Sequence, residues 1–311
     1  MTEYIIRFPG QWITADQFEQ ALHQVSVPSF SRGSSITFRF LPACKVMVDA
    51  AVRLLSLANQ LASEGMPVTM VFEDEPNGAM SYLNRANFFS LLSEKVRILP
   101  VRPDPSYTRL FYGNSRNLVE FEPVSPTYSE RIDDPPIPTR LADALTTVME
   151  GYPDLAAFRG ATYLIFGELI NNIRDHSQTR LDGFAALQVY DKGKKVQVVV
   201  SDSGIGLLNT LRPKLLTQVA RDVSEAELIR LLFHNELMWS KRGSGQGLFE
   251  CAHRALKYEG SVNIRLETCS VQLRPAHGIY ESISALYRSN LVQMKGTHIC
   301  FSFPLSLDNL S

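Results

Sequence analysis

The sequence predicts an α/β (α+β) protein with two folded parts, on three observations. Strand-like and helix-like patterns alternate through the first hundred residues, seven of the 17 prolines fall between Pro103 and Pro138, and a second series of helices and strands follows. Because proline fixes φ and removes a backbone donor, the proline-rich stretch is expected to be an extended connector or irregular edge rather than core. We therefore expect a small α/β domain at 1–100, a connector at 101–139 and a larger domain at 140–311.

The first domain follows the order strand, helix, strand, helix. Residues Ser35–Phe40 alternate at period two, which is typical of a strand, and residues 46–62 carry apolar side chains at helical spacing. Gly65 is predicted to end this helix, and a strand at 67–72 and a helix at 79–92 are predicted to follow. This order favours a small sheet with helical crossovers.

The arrangement of the first domain resembles STAS-type domains, the folds used by anti-sigma-factor antagonists. Those antagonists carry a phosphorylatable serine after a strand, near the start of a helix. The corresponding region here, Leu41-Pro-Ala-Cys-Lys-Val-Met-Val-Asp49, contains no serine or threonine. Phosphorylation at that position is therefore not expected, and an unrelated α/β module is the alternative.

Composition restricts the classes of function. Lys and Arg number 31 against 32 Asp and Glu, so no overall basic surplus points to nucleic acid or an anionic membrane. The N-terminus lacks the apolar core of a signal peptide, and no run approaches the roughly 18 apolar residues of a membrane span. The four cysteines are widely spaced with no CxxC pair, so neither disulfides nor a zinc site are expected, and a cytoplasmic location is predicted.

A polar stripe marks one predicted helix of the second domain. Helical patterns cover residues 140–149 and 157–176, and within the longer one Glu168, Asn172 and His176 recur every four residues, so they share a face. A solvated stripe is the plain alternative for this helix taken alone, because buried polar groups need partners. The side chains expected to pack on the other side are Leu164, Leu169 and Ile173.

Two glycine clusters follow this helix. A predicted strand at 196–202 ends in Asp202 and leads into Gly204 and Gly206, where glycine allows a tight turn and lets a ligand approach the backbone. The second cluster precedes an apolar helix predicted at 248–258, and free amides at a helix N-terminus attract phosphate. Its members of interest are Lys241, Gly243, Gly245, Gly247 and Leu248. The domain is predicted to end in a strand beginning at Gly296-Thr297.

These motifs in this order resemble the GHKL superfamily, which includes DNA gyrase, heat-shock chaperones of the ninety-kilodalton class, histidine kinases, mismatch-repair ATPases and anti-sigma serine kinases. The resemblance covers residues 155–305. It implies the Bergerat fold, a mixed sheet with helices on one face, with the nucleotide held between a helix and a lid. It also implies that ATP and Mg²⁺ are the cofactors.

The resemblance assigns roles to the first two motifs. The family's Glu-x-x-x-Asn motif matches Glu168 and Asn172, which implies that the Asn172 oxygen coordinates Mg²⁺ and that Glu168 is a general base. The Asp-x-Gly-x-Gly motif matches Asp202, Gly204 and Gly206. Asp202 is then expected to accept a hydrogen bond from the adenine amino group and so to discriminate adenine from guanine.

The later motifs are assigned to the phosphates and the adenine. The Gly-x-Gly-x-Gly motif from Gly243 to Gly247 is expected to hold the phosphates, and Thr297 matches a threonine beneath the adenine. Lys241 is expected to neutralise phosphate charge, a solvated lysine being the alternative. The nucleotide-binding candidates are therefore Asn172, His176, Asp202, Gly204, Gly206, Lys241, Gly243, Gly245, Gly247, Leu248 and Thr297. Residues 207–247, with a predicted helix at 224–236, are expected to form the ATP lid.

Three features narrow the choice within the superfamily. No histidine occurs in residues 140–158, so a histidine kinase's phosphoacceptor is not expected there. The chain ends shortly after the last predicted strand, so the transducer domain of gyrase-like enzymes is not expected. The series Glu168, Asn172 and His176 resembles the anti-sigma serine kinases most closely.

Two functions are left open by these residues. The first is an enzyme in regulatory signalling, an ATP-dependent protein serine/threonine kinase or slow ATPase with Glu168 as base. The second is a non-catalytic binding switch, in which ATP occupancy controls contact with a protein partner. A protein partner is expected in both cases by family analogy. Neither a nucleic acid nor a membrane is expected, and a homodimer is left open.

Overall fold

The computed structural model describes residues 2–73, 78–115, 117–126, 135–149, 154–190, 194–210, 246–276 and 279–305. The predicted α+β class is confirmed, since helices accompany one parallel and one antiparallel sheet. A short third pairing joins β2 (Trp12–Ile13) and β4 (Lys45–Val46). No helix in these ranges is both long and apolar enough to cross a membrane.

The first part of the chain forms a four-stranded parallel sheet in the order β1-β3-β5-β6. Its strands are β1 (Glu3–Phe8), β3 (Ser35–Phe40), β5 (Val68–Phe72) and β6 (Arg97–Leu99). The helices that follow these strands are α1 (Ala15–His23), α2 (Val48–Ser63), α3 (Ala79–Arg85) and α4 (Phe88–Leu91). In β3 and β5 alternate side chains are buried, because successive side chains of a strand point to opposite faces.

The helix predicted at 79–92 is two helices rather than one. Asn87 lies between α3 and α4 with a φ of 69°, a left-handed conformation that a right-handed helix cannot contain. Its side-chain amide donates to the Phe121 carbonyl at 3.0 Å, which ties the bend to a later strand. The break is therefore fixed by a tertiary contact.

The rest of the chain forms a seven-stranded sheet in the order β12-β11-β10-β13-β9-β8-β7. The strands are β7 (Leu118–Val124), β8 (Gly183–Tyr190), β9 (Lys195–Ser201), β10 (Ser261–Arg265), β11 (Ser270–Ala276), β12 (Ile279–Arg288) and β13 (His298–Pro304). Every neighbouring pair in it is antiparallel, whereas the resemblance implied a mixed sheet. One face carries α6 (Ile137–Val148), α7 (Leu155–His176) and α8 (Gln246–Lys257).

The opposite face of this sheet is covered by α2, which lies between the two sheets. Nearly all of α2 is buried, as expected of a helix packed on both sides. Strand β9 is likewise buried on both faces, with Val199 packed toward α2 and Val198 toward the α7 side. The buried hydrophobic side chains form two clusters, a shared core with residues from both predicted domains and a second core built only from residues after 123. The two predicted domains therefore pack directly against each other instead of meeting through a linker.

The proline-rich stretch at 101–139 also differs from the predicted connector. It contains α5 (Ser106–Phe111) and β7, which pairs with β8 as the edge strand of the large sheet. Leu118 and Phe121 are buried in the shared core, so the expectation that this stretch contributes no core was wrong. Pro123 fits within β7 because an edge strand tolerates a missing ladder donor.

Candidate functional site

A cleft opens between α7 and the adjoining ends of β9 and β13. Its volume is about 60 Å³, which is room for roughly five water molecules. Leu169, Ile173, Val200, Leu248 and Ile299 give it an apolar lining. Six of the predicted site residues line it together, namely Asn172, His176, Asp202, Gly206, Leu248 and Thr297.

Helix α7 presents part of its polar stripe along one wall of the cleft, since Asn172 and His176 line the cleft and Glu168 lies just outside the lining. The stripe starts exposed at Glu168, is half-buried at Asn172 and ends exposed at His176. The Asn172 side-chain nitrogen lies 3.5 Å from Glu168 Oε1. With the nitrogen turned toward Glu168, the oxygen of the Asn172 amide is left to face another ligand.

Leu164 does not pack in the core as predicted and is 52% exposed. It lies four residues before Glu168, so it continues the face that carries the polar stripe. Leu169 and Ile173 lie on the buried side, as predicted. The prediction for Leu164 failed because its apolar character was given more weight than its helical position.

Asp202 follows the end of β9 and is held by two backbone donors. The amide of Gly204 donates to Oδ1 at 2.7 Å, and the amide of Thr297 donates to Oδ2 at 3.1 Å. Burial raises the pKa of the Asp202 carboxyl to about 6, and the hydrogen bonds from Gly204 and Thr297 oppose this rise. The cleft therefore has at one end a fixed acceptor that titrates in the physiological range.

Two glycines allow the chain to close around Asp202. A Cβ at Gly204 would lie 2.1 Å from the Ser177 carbonyl oxygen at the end of α7. Gly296 has a φ of 90°, and a Cβ there would lie 2.0 Å from the Asp202 carbonyl oxygen. Gly204 is among the predicted site residues, whereas Gly296 was predicted only as the start of the last strand, although its place directly before Thr297 was an available signal. Both positions exclude other residues by backbone contact.

Thr297 links this segment to the turn after Asp202. Its hydroxyl accepts a hydrogen bond from the Leu207 amide at 2.9 Å, and its carbonyl accepts from the Asp202 amide at 3.0 Å. Leu207, Thr210 and Ser177 also line the cleft, although the sequence analysis named none of them as site residues. Leu207 and Thr210 lie within the ATP lid predicted at 207–247, whereas no motif marked Ser177, which reaches the cleft at the C-terminal end of α7.

Helix α2 is hydrogen-bonded to the same two segments from the other side of the sheet. Ser201 and Ser203 flank Asp202. The Ser201 hydroxyl is hydrogen-bonded to the Ser56 hydroxyl at 2.9 Å, and the Ser203 hydroxyl accepts from the Gln60 side-chain amide at 3.0 Å. Gln60 also donates to the Lys295 carbonyl and accepts from the Lys295 amide, each at 3.0 Å. The backbone that positions Asp202 and Thr297 is thus hydrogen-bonded to the first part of the chain.

His298 completes this contact beneath the cleft. Its Nδ1 is hydrogen-bonded to the Ser201 hydroxyl, and its Nε2 lies 3.1 Å from the Lys295 carbonyl oxygen. Burial, with the nearby guanidinium groups of Arg265 and Arg53, holds the pKa of His298 well below its ordinary value. A neutral imidazole is therefore part of the support beneath Asp202.

The structure describes only the end of the glycine-rich motif. Lys241, Gly243, Gly245, the helix predicted at 224–236 and residues 211–245 of the lid predicted at 207–247 lie outside the described residues. Gly247 lies in the first turn of α8, and Leu248 is buried and lines the cleft. The described end of the motif therefore leads directly into a helix N-terminus beside the cleft.

A scan against protein-family models finds no match for this chain, and a search of curated proteins finds no significant similarity. The function of the cleft has to be inferred from its own residues. The cleft has an apolar lining, the fixed carboxylate of Asp202, and the amide of Asn172 and the imidazole of His176 along one wall.

Proposed function

We propose that this cleft binds Mg-ATP and that the protein acts in regulatory signalling as an anti-sigma-type protein kinase or slow ATPase. The carboxylate of Asp202, held by the amides of Gly204 and Thr297 at the end of an apolar cleft, carries this proposal. Adenine has flat apolar faces and an exocyclic amino group that donates to a carboxylate, whereas guanine presents a carbonyl there. The narrow cleft has to widen when the nucleotide enters.

The opposite end of the cleft suits the phosphates and their metal ion. Asn172 offers an amide oxygen, and Mg²⁺ prefers oxygen ligands and is often held by few protein groups together with substrate phosphates. No three acidic, histidine or cysteine side chains cluster in the described ranges, which favours a metal that arrives with the nucleotide. When bound, Mg²⁺ would neutralise charge on the phosphates. The N-terminal turn of α8 would add backbone donors.

Glu168 is the proposed proton acceptor of this site. Its carboxylate is exposed one helical turn before Asn172, close to the proposed metal ligand. A general base takes a proton from attacking water or from a substrate hydroxyl. Whether hydrolysis or protein phosphorylation follows depends on which acceptor is positioned in line with the phosphate.

A binding switch is the second candidate function, and the contacts of α2 favour it. Gln60 is hydrogen-bonded both beside Asp202, at Ser203, and beside Thr297, at Lys295. A shift of either segment on nucleotide binding would therefore strain contacts with the first part of the chain. In this case ATP occupancy alone would alter the surface offered to a protein partner.

Replacement of Asn172 with alanine is expected to abolish the Mg²⁺-dependent part of ATP binding, because a methyl group offers the metal no oxygen. Calorimetric titration of ATP with and without Mg²⁺ measures this difference. Asn171→Ala is the matched control, since Asn171 is exposed on the same helix and does not line the cleft. Mg²⁺-dependent affinity that is unchanged in the Asn172 variant would remove Asn172 as the metal ligand.

Adenosine binding is expected to weaken as the pH falls below about 6, the pKa of Asp202. Only the ionised carboxyl accepts freely from the adenine amino group, so affinity should fall by up to about tenfold per pH unit below the pKa. Adenosine is the probe because it lacks phosphates, which titrate near the same pH.

Two variants identify the titrating group in this experiment. Asp202→Asn is expected to bind weakly with a flat pH profile and to lose the preference for ATP over GTP. His176 also lines the cleft, so His176→Gln is the control and should keep the wild-type profile. Two results would rule out Asp202 as the residue that recognises adenine. The first is a wild-type affinity for adenosine that does not change from pH 5 to 8, and the second is a pH dependence that disappears in the His176 variant.

A further inference from the structure

A second cavity lies on the opposite face of the seven-stranded sheet from the proposed nucleotide cleft. Its volume is about 540 Å³, within the range of roughly 300–1,000 Å³ that is typical of small-molecule sites. The start of α1 and the start of α2 form one side, and β9, β10, β11 and β13 form the other. It therefore lies at the junction between the two parts of the chain and shares no lining residue with the first cleft.

The buried side of this cavity presents hydrogen-bond acceptors. Asp49 is 7% exposed and Gln197 is 4% exposed. Gln197 donates through its amide nitrogen to the Ser302 hydroxyl at 3.2 Å, while its Oε1 has no hydrogen-bond partner among the residues that the structure describes. A buried acceptor without a donor is unfavourable. Because Oε1 itself is enclosed, a ligand that donates hydrogen bonds reaches it when the Gln197 amide turns toward the cavity.

Asp49 adds a carboxyl group beside this acceptor, and a cation bound next to it would favour the ionised form. The amides of Ala50 and Ala15 bond to its carboxylate, and Gln197 Nε2 lies 3.5 Å from Oδ2. Asp49 has no ion-pair partner within 4.0 Å among the described residues, although Arg53 and Lys195 lie close enough to influence it. Burial raises the pKa of the Asp49 carboxyl, as expected where a charge lacks a close counter-ion. A cationic amine would supply both the missing donor and the missing charge.

Basic groups occupy the more open part of the same cavity. Lys195 is half-buried and Arg274 is exposed, whereas Asp49 is buried, so the charge changes sign from the inner wall toward the solvent. Two further acids lie in the wall. Asp16 is already paired with Arg288 at 2.7 Å, and Glu259 lines the cavity. This arrangement matches a ligand with an amino group at one end and an acidic group at the other.

We propose that this cavity binds a small amino acid, with its ammonium group at Asp49 and Gln197 and its carboxylate at Lys195 and Arg274. Both parts of the chain contribute to the walls, so occupancy would stabilise their junction. The site is separate from the nucleotide cleft and does not depend on the function proposed for it. It provides an input by which a metabolite could act on the protein.

The test is saturation-transfer NMR and calorimetric titration of the full chain, without nucleotide, against a graded series of amino acids. Glycine, β-alanine, 4-aminobutanoate and 5-aminopentanoate vary the distance between the two charges. At least one of them is expected to bind in the millimolar range or better. The amine and the carboxylic acid of matching length, each carrying one charge, are expected to bind at least about tenfold more weakly.

Variants place the binding in this cavity. Lys195→Met and Arg274→Ala alter partly exposed side chains and are each expected to weaken binding by at least about tenfold, as is Asp49→Asn where thermal unfolding shows that it folds. Lys194→Met is the matched control, because Lys194 is exposed next to Lys195 and does not line the cavity. Three results would overturn the proposal: no amino acid binds, the amine alone binds as tightly, or the Lys195 and Arg274 variants bind like the wild type.

Discussion

Replacement of Glu168 with glutamine is expected to leave ATP binding unchanged and to reduce ATP turnover by at least about tenfold, a loss of roughly 1.4 kcal/mol of transition-state stabilisation. The glutamine keeps the size of the side chain and an oxygen near Asn172 but cannot accept the proton. A general base typically contributes about 10²–10⁴-fold to the rate, which sets the range for this variant. Glu168 does not line the cleft, so nucleotide affinity should not depend on it.

Release or transfer of labelled phosphate from γ-labelled ATP measures turnover, and calorimetric titration of ATP measures binding. Asp175→Asn is the matched control, since Asp175 is an exposed carboxylate on the same helix that does not line the cleft. Turnover at the wild-type rate in Glu168→Gln would exclude Glu168 as the base. If the wild type itself transfers no phosphate with its partner supplied, the binding switch becomes the better account.

Replacement of Glu19 with alanine is expected to lower the free energy of unfolding by about 3–5 kcal/mol, because it leaves buried cations without their counter-ion. Glu19 on α1 accepts from Arg53 on α2 at 2.8 Å and from Arg265 on β10 at 3.2 Å. Arg265 is fully buried, and burial lowers its pKa while the carboxylate of Glu19 opposes this effect. The three side chains join the first part of the chain to the large sheet.

The other hydrogen-bond acceptors of Arg265 and Arg53 cannot replace the negative charge of Glu19. Its guanidinium also donates to the backbone oxygens of Leu266 at 2.6 Å and Glu267 at 2.8 Å, and Arg53 donates to the Asn263 amide oxygen at 2.7 Å. These bonds hold the cations in place but carry no formal negative charge. Without Glu19 the two guanidinium groups would remain buried near each other and repel.

Urea unfolding followed by circular dichroism measures this loss. Glu64→Ala is the matched control, since Glu64, directly after α2, also pairs across the junction, with Lys295 at 2.6 Å. The Lys295 and Glu64 side chains are 53% and 34% exposed, so solvent screens this pair. An exposed pair contributes about 0–1 kcal/mol. A similar small change in both variants would contradict a structural role for the buried cluster.

Several elements and several of the proposed site residues follow from local sequence patterns, whereas β1, α1 and β8 were not predicted. A hydrophobic period of 3.6 residues predicted α2 and α7. The same period predicted that Glu168, Asn172 and His176 share one face of α7. An apolar run ending in an acid predicted β9 and the position of Asp202. Such patterns are readable because they arise from the geometry of the backbone within a few residues.

The tertiary structure decided which surfaces these elements share. No local pattern shows that α2 covers the far face of the large sheet, that Phe121 enters the shared core, or that Gly296 passes against Asp202. The same holds for the cluster of Glu19, Arg53 and Arg265, whose members are brought together from distant parts of the chain. Each of these contacts depends on which distant segments exclude water from one another, and that depends on how the whole chain packs rather than on spacing within one segment.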